Sequence, residues 1–251
     1  MKIVNKNQTD LILTKNPKSR FAEAIKLIRT NLAFSAIDKE IKTILITSAE
    51  EGDGKSFISS NLAVAYSQDN KKVLMIDCDL RRGRLHKIFK VLNKSDLGYS
   101  NLILNYKSET KKTKTETKTT TKKKESFDIS KYIIKTEVEN LSIIPSGPVP
   151  PNPVELLSSL NNEKLIKELR KKFDIIILDC PPVLGLSDVL IEAKNSDVNI
   201  LVVTNKKTKE ESLAKTVKVF EQSNLKINGV IFNKDKVKNS SYYCNSYYKE
   251  N

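Results

Sequence analysis

Apolar positions along this chain follow two rhythms that alternate. From Arg20 to Phe34 they recur at helical spacing, with Phe21, Ala24, Ile25, Ile28 and Leu32 on one stripe. Thr43–Thr47 is then a short apolar run bounded by polar residues, which predicts a strand. Runs of the same kind are Val73–Asp77, Leu141–Ile144, Asp174–Asp179, Val198–Thr204 and Ile227–Phe232. Helical stretches lie between them: one to about Gln68 with Ile58, Leu62 and Ala65 inward, short helices to about Leu104, Glu163–Lys172, and about Glu210–Gln222. Strands separated by helices throughout predict an α/β fold, a doubly wound and mainly parallel sheet with helices on both faces. Ligands of such sheets sit beyond the carboxyl ends of the strands.

Two segments break the rhythm. Residues 107–126 hold eight Lys, seven Thr, three Glu and two Ser, with no apolar residue. Nothing there buries surface to offset the entropy of ordering, so the stretch is expected to be a disordered insertion. Its functional reading is attraction to anionic lipid headgroups. Ser146–Pro153 carries four prolines in eight residues and predicts a rigid, extended loop, with Asn152-Pro153 starting the next helix. The expected organisation is one domain over 1–235 and a flexible tail over 236–251.

Composition excludes more than it assigns. At 39% apolar and 29% charged, the 251 residues suit one globular domain with a full core. No signal peptide and no run of about 18 apolar residues is visible, so any membrane location is expected to come through a partner or a surface contact. The net charge of +14 is mostly lysine, arginine is scarce, and no basic-aromatic groove appears, so no nucleic-acid partner is expected. Cys78, Cys180 and Cys244 form no metal-ligand spacing. Strand alternation turns Cys78 away from Asp77 and Asp79, which reads as core packing. His86 reads as a solvated or packed histidine.

The chemistry lies at three strand ends. Ala49-Glu50-Glu51-Gly52-Asp53-Gly54-Lys55-Ser56 follows the first strand and opens a helix, as a phosphate-binding loop does. Successive N–H groups at a helix N-terminus wrap a phosphate, Lys55 reaches the β- and γ-phosphates, and the Ser56 hydroxyl ligates Mg²⁺. The usual first glycine is Ala49. Val73–Arg81 ends on Asp77, Asp79 and Arg81, and the two carboxylates, two apart, share a face. One of them suits a metal shell and the other a proton acceptor. Ile175–Pro182 ends on Asp179, placed to hold Mg²⁺ opposite Ser56. Four of the eight tyrosines, Tyr242, Tyr243, Tyr247 and Tyr248, fall in the last ten residues, where a short polar terminus is usually mobile.

In these motifs the chain resembles the bacterial tyrosine kinases (BY-kinases) of capsular and exopolysaccharide systems, in their stand-alone cytoplasmic form, within the MinD/ParA-like P-loop NTPases. Ser48–Ser56 matches the family's Walker A, Val73–Arg81 its second aspartate motif, Ile175–Pro182 its Walker B and Ser146–Pro153 its proline loop. The resemblance implies ATP-Mg²⁺-dependent autophosphorylation on the tail tyrosines in trans. It implies Lys55, Asp77, Asp79 and Arg81 as catalytic residues, with Asp79 as base. Nucleotide binding falls to Gly52, Asp53, Gly54, Lys55, Ser56, Phe57 and Asn233, the last toward adenine, and the metal to Ser56, Asp77 and Asp179. The implied partners are a transmembrane activator (a polysaccharide co-polymerase), a ring-like homo-oligomer and a cognate tyrosine phosphatase. The implied location is the cytoplasm, at the inner face of the membrane through that partner. Glu23, Lys26 and Arg29 stand where the family has a helical oligomer contact, with lysine in place of one arginine. Glu51 stands in place of the customary proline of the loop.

Two other classes compete. A partitioning or division-site ATPase of the same superfamily would show a lysine where this chain has Glu50, and no tyrosine cluster. An adaptor that only binds a membrane partner would not need Lys55, Ser56, Asp77, Asp79 and Asp179 together.

Overall fold

The computed structural model describes residues 11–35, 40–91, 97–106 and 127–234. The insertion 107–126, the four tail tyrosines and Cys244 lie outside the described residues. In chain order the elements are α1 (Ile12–Lys15), α2 (Arg20–Ser35), β1 (Thr43–Ser48), α3 (Lys55–Ser67), β2 (Val73–Asp77), α4 (Leu85–Ile88) and α5 (Tyr99–Asn105). A 3₁₀ turn (Ile129–Tyr132) leads to β3 (Ile134–Lys135) and β4 (Leu141–Ile144). Then come α6 (Pro153–Leu157), α7 (Leu160–Lys172), β5 (Ile175–Asp179), α8 (Asp188–Ala193), β6 (Val198–Thr204), α9 (Glu210–Gln222) and β7 (Gly229–Asn233).

The seven strands form one sheet in the order β3-β4-β2-β5-β1-β6-β7, parallel except for β3 against β4. Every residue of β1, β2, β5 and β6 is buried, because helices cover both faces. That is why these strands read as apolar runs and not as alternation. On one face α2 and α3 pack Ile25, Leu32, Ile58 and Leu62 against Ile44, Ile46 and Met75. On the other, Tyr99, Leu165, Leu169 and Phe220 pack against Leu45, Ile76 and Leu178. Cys78 and Cys180 are buried in this second core, as strand alternation predicts for Cys78.

Several boundaries differ from the sequence expectation for local reasons. The inward line of α2 runs through Ala22 and Ile25 to Leu32, leaving Ala24 on the exposed flank. Helix α7 begins earlier, at Leu160, because the Ser159 hydroxyl accepts the Asn162 N–H at 3.3 Å. The Asn152-Pro153 start of α6 is as predicted, with the Asn152 side chain accepting from the Glu155 N–H. Strand β3 and helix α8 are too short for periodicity to reveal.

The second core also holds a polar network. The Tyr99 hydroxyl donates to Asn162 Oδ1 at 2.5 Å, and Asn162 Nδ2 donates to Glu192 Oε1 at 2.7 Å. Glu192 is fully buried and its Oε2 has no hydrogen-bond partner among the described residues. Burial raises its pKa to about 7 from an ordinary 4.5, against the pull of its hydrogen bonds. A carboxyl whose folded pKa is raised keeps its proton in the fold after the unfolded chain has lost it. Its stabilising contribution is therefore present below pH 4.5 and lost as pH rises to about 7, a change of about 3 kcal/mol. Glu192→Gln is expected to gain that amount relative to the parent between pH 4.5 and 8 in denaturant melts. Parallel pH curves for the two proteins would contradict this.

Candidate active site

Strand order brings the three motifs to one edge. Because β5 lies between β1 and β2, Asp179 is in register with both Ile46 and Asp77. The loop after β1 turns through Gly52 and Gly54, both in the left-handed region at φ 82° and 90°. A Cβ on Gly54 would lie 2.1 Å from Asn233 Nδ2, so glycine is required there for space as well as conformation. Gly54 is the N-cap of α3, and Lys55 and Ser56 form its first turn. Phe57 bonds its N–H to the Gly54 carbonyl at 3.1 Å and packs its ring on Phe21, centroids 4.8 Å apart. Ala49 is fully buried.

The loop is fastened from the β6–β7 side. Thr204 Oγ1 and Asn233 Nδ2 each donate to the Asp53 carbonyl at 2.8 Å. The Asn233 amide, for which the family resemblance implies an adenine contact, is thus engaged with the loop backbone. Glu50 accepts the Ser212 hydroxyl at 2.5 Å, tying the loop to α9. Glu51 reaches the other way, pairing with Arg82 at 2.6 Å and Arg84 at 3.4 Å, so its carboxylate bridges the loop to the turn after β2.

The three aspartates differ in their surroundings. Asp179 accepts the Ser59 hydroxyl at 3.1 Å. Burial raises its pKa, opposed by the Lys55 ammonium and by hydrogen bonds from Ser56 and Ser59. Asp77 is fully buried, and burial, then the neighbouring Asp179 charge, push its pKa well up. Its Oδ2 accepts the Leu85 N–H at 3.0 Å, while Oδ1 is buried with no partner among the described residues. An orphaned carboxylate oxygen beside a second carboxylate and the Ser56 hydroxyl is a donor set that fits Mg²⁺. Among the described residues no three His, Cys, Asp or Glu side chains close on one point. A Mg²⁺ ion held there would keep its remaining positions for water and phosphate oxygens, as that ion prefers.

Asp79 caps its own turn: Oδ1 accepts the Arg81 and Arg82 N–H groups at 3.3 and 2.9 Å. Its Oδ2 accepts no hydrogen bond among the described residues. Arg81 is forked onto Asp188 of α8, Nε to Oδ2 at 3.2 Å and a terminal nitrogen to Oδ1 at 3.5 Å. Asp188 is nearly fully buried. Sequence reading missed this partner of Arg81, since an acid at a helix start reads as a cap. Ser59 was missed because it belongs to no motif, and the Glu51 bridge because the arginines it pairs with lie 31 and 33 positions away.

Within the chain, each member of the Glu23, Lys26 and Arg29 row has a partner. Lys26 pairs with Glu23 at 2.8 Å, and Arg29 donates to the Ala65 carbonyl at 2.7 Å. Among its large apolar residues, α2 exposes Leu27 and Phe34.

This sheet order, with a glycine loop on β1 and aspartates on β2 and β5, defines a P-loop NTPase of the MinD/ParA-like superfamily. The AAA domain model matches residues 41–231. The MinD septum-site protein of Pyrococcus horikoshii, solved with Mg-ADP, superposes with TM-score 0.57 at 25% identity, over 76% of this chain and 69% of that one. Tyrosine-protein kinase YwqD of Bacillus subtilis (strain 168) is 34% identical over 94% of this chain and 90% of its own length. The chimeric protein CapA2B2 superposes with TM-score 0.76 at 33% identity, over 88% of each chain. The chain belongs to the bacterial tyrosine-protein kinases.

Proposed function

We propose that the chain transfers the γ-phosphoryl group of ATP to tyrosines of its own C-terminal cluster, Tyr242, Tyr243, Tyr247 and Tyr248, in trans within a homo-oligomer, in the service of capsular or extracellular polysaccharide export. The observation that carries this reading is the free Oδ2 of Asp79, held on a capped turn beside the phosphate loop. The loop N–H groups and Lys55 bind and orient the triphosphate. Asp77, Asp179 and Ser56 would hold Mg²⁺, which would supply neutralisation of phosphate charge. The phenol oxygen attacks the γ-phosphorus, the bond to the β-phosphate oxygen breaks, ADP leaves, and the phenolic proton passes to Asp79. The Asp188–Arg81 fork and the Arg81 and Arg82 N–H groups keep that carboxylate aimed. Asn233 contributes to the adenine side.

No helix among the described residues is long and apolar enough to cross a membrane. Recruitment by the cytoplasmic segment of a transmembrane co-polymerase supplies the membrane location, and a tyrosine phosphatase reverses the modification. The oligomer forms along α2, where Leu27 and Phe34 are 60% and 68% exposed. Its test mixes an active chain lacking residues 236–251 with a Lys55→Met chain that keeps them. Phosphotyrosine on the inactive chain is the expected result, and none there would rule out transfer in trans.

A further inference from the structure

Asp53 is a fully buried carboxylate inside a loop whose task is to hold an anion. Such a charge opposes phosphate unless something nearby cancels it. Its Oδ2 accepts the Glu50 N–H at 3.2 Å, which satisfies a lone pair and leaves the charge. The cation that meets it is Lys207, whose Nζ lies 3.4 Å from Oδ1. The same ammonium donates to the Glu51 carbonyl. It lies so close over the loop that a Cβ on Gly52 would sit 2.8 Å from it.

Lys207 is held there by a tight turn at the end of β6. Its N–H donates to the Thr204 carbonyl at 3.1 Å, Thr208 Oγ1 accepts the Thr204 N–H at 2.9 Å, and Lys206 takes the left-handed conformation. Thr204 itself grips the Asp53 carbonyl, so one turn fixes both the backbone and the charge of residue 53.

We propose that Lys207 is a positioning residue for the nucleotide: it neutralises Asp53, so that no uncompensated buried carboxylate lies behind the N–H groups and Lys55 that meet a triphosphate. No other chain is needed for this, since Lys207 reaches the loop within its own subunit. The inference rests on nucleotide binding at this loop. Lys207 does not touch the phosphate in this scheme; it acts through Asp53.

The test is calorimetric titration of ATP-Mg²⁺ into the full chain and three variants, each checked for folding by thermal melting. Lys207→Met is expected to weaken binding about tenfold, the cost of leaving a buried charge partly uncompensated beside an anion site. Asp53→Asn alone, which keeps an acceptor for the Glu50 N–H, is expected to bind more tightly than the parent. The double variant is expected to recover at least the parent's affinity. A lysine that contacts phosphate directly, or merely props the loop, would not be rescued by Asp53→Asn. Unrescued weak binding, or unchanged binding in Lys207→Met, would overturn the proposal. If Lys207→Met does not fold, Lys207→Gln enters the same comparison, and weaker binding by Asp53→Asn alone is also contradictory. Failure of the parent protein to bind ATP would instead defeat the nucleotide reading itself.

Discussion

Asp79→Asn is expected to slow phosphotyrosine formation by about 10²–10⁴-fold while the fold and ATP affinity persist. The isosteric amide keeps an oxygen to accept the Arg81 and Arg82 N–H groups, so the turn that Asp79 caps survives. What it loses is the ability to take a proton on the other side. A tyrosine phenol with pKa near 10 is protonated at neutral pH, and its oxygen is a poor nucleophile until the proton has somewhere to go. The remaining catalysis, from positioning and phosphate charge neutralisation, is untouched in this variant, which is why the loss is bounded. Single-turnover labelling of the tail with a saturating nucleotide separates this from binding. A folded, ATP-binding Asp79→Asn protein that labels as fast as the parent would remove Asp79 from the proton's path.

The strands were legible because burial on both faces leaves an unmistakable apolar run, as in Ile175–Asp179 and Val198–Thr204. The phosphate loop and the aspartates were legible because their chemistry demands fixed spacing at strand ends. Groups that act on those residues left no such trace. Asp188 reaches Arg81 across 107 positions, and Lys207 reaches Asp53 across 154, separations no local pattern encodes. Lys207 is further hidden by company, one of 44 basic residues in the chain. Glu192 looks like any helix glutamate until packing seals it into the second core. The α2 row shows the same limit. Spacing places Glu23, Lys26 and Arg29 on one flank, but not that the Ala65 carbonyl at α3 lies within Arg29's reach.

Lys55→Met is the second substitution of large effect, and it bears on the central claim most directly. Lys55 is the first residue of α3, on the glycine turn, and its ammonium acts on Asp179 across the site. Methionine preserves length and helix propensity and removes only the charge that would meet the β- and γ-phosphates. Loss of one charge-stabilising group at a transferring phosphoryl costs on the order of 10²–10³ in rate. The measurement is phosphotyrosine mapping by mass spectrometry on purified parent and Lys55→Met proteins after incubation with ATP-Mg²⁺. The expected result is modification within Tyr242–Tyr248 in the parent and its near-complete loss in the variant. Equal phosphotyrosine in both proteins, or none in the parent supplied with an activating membrane-protein segment, would contradict the account.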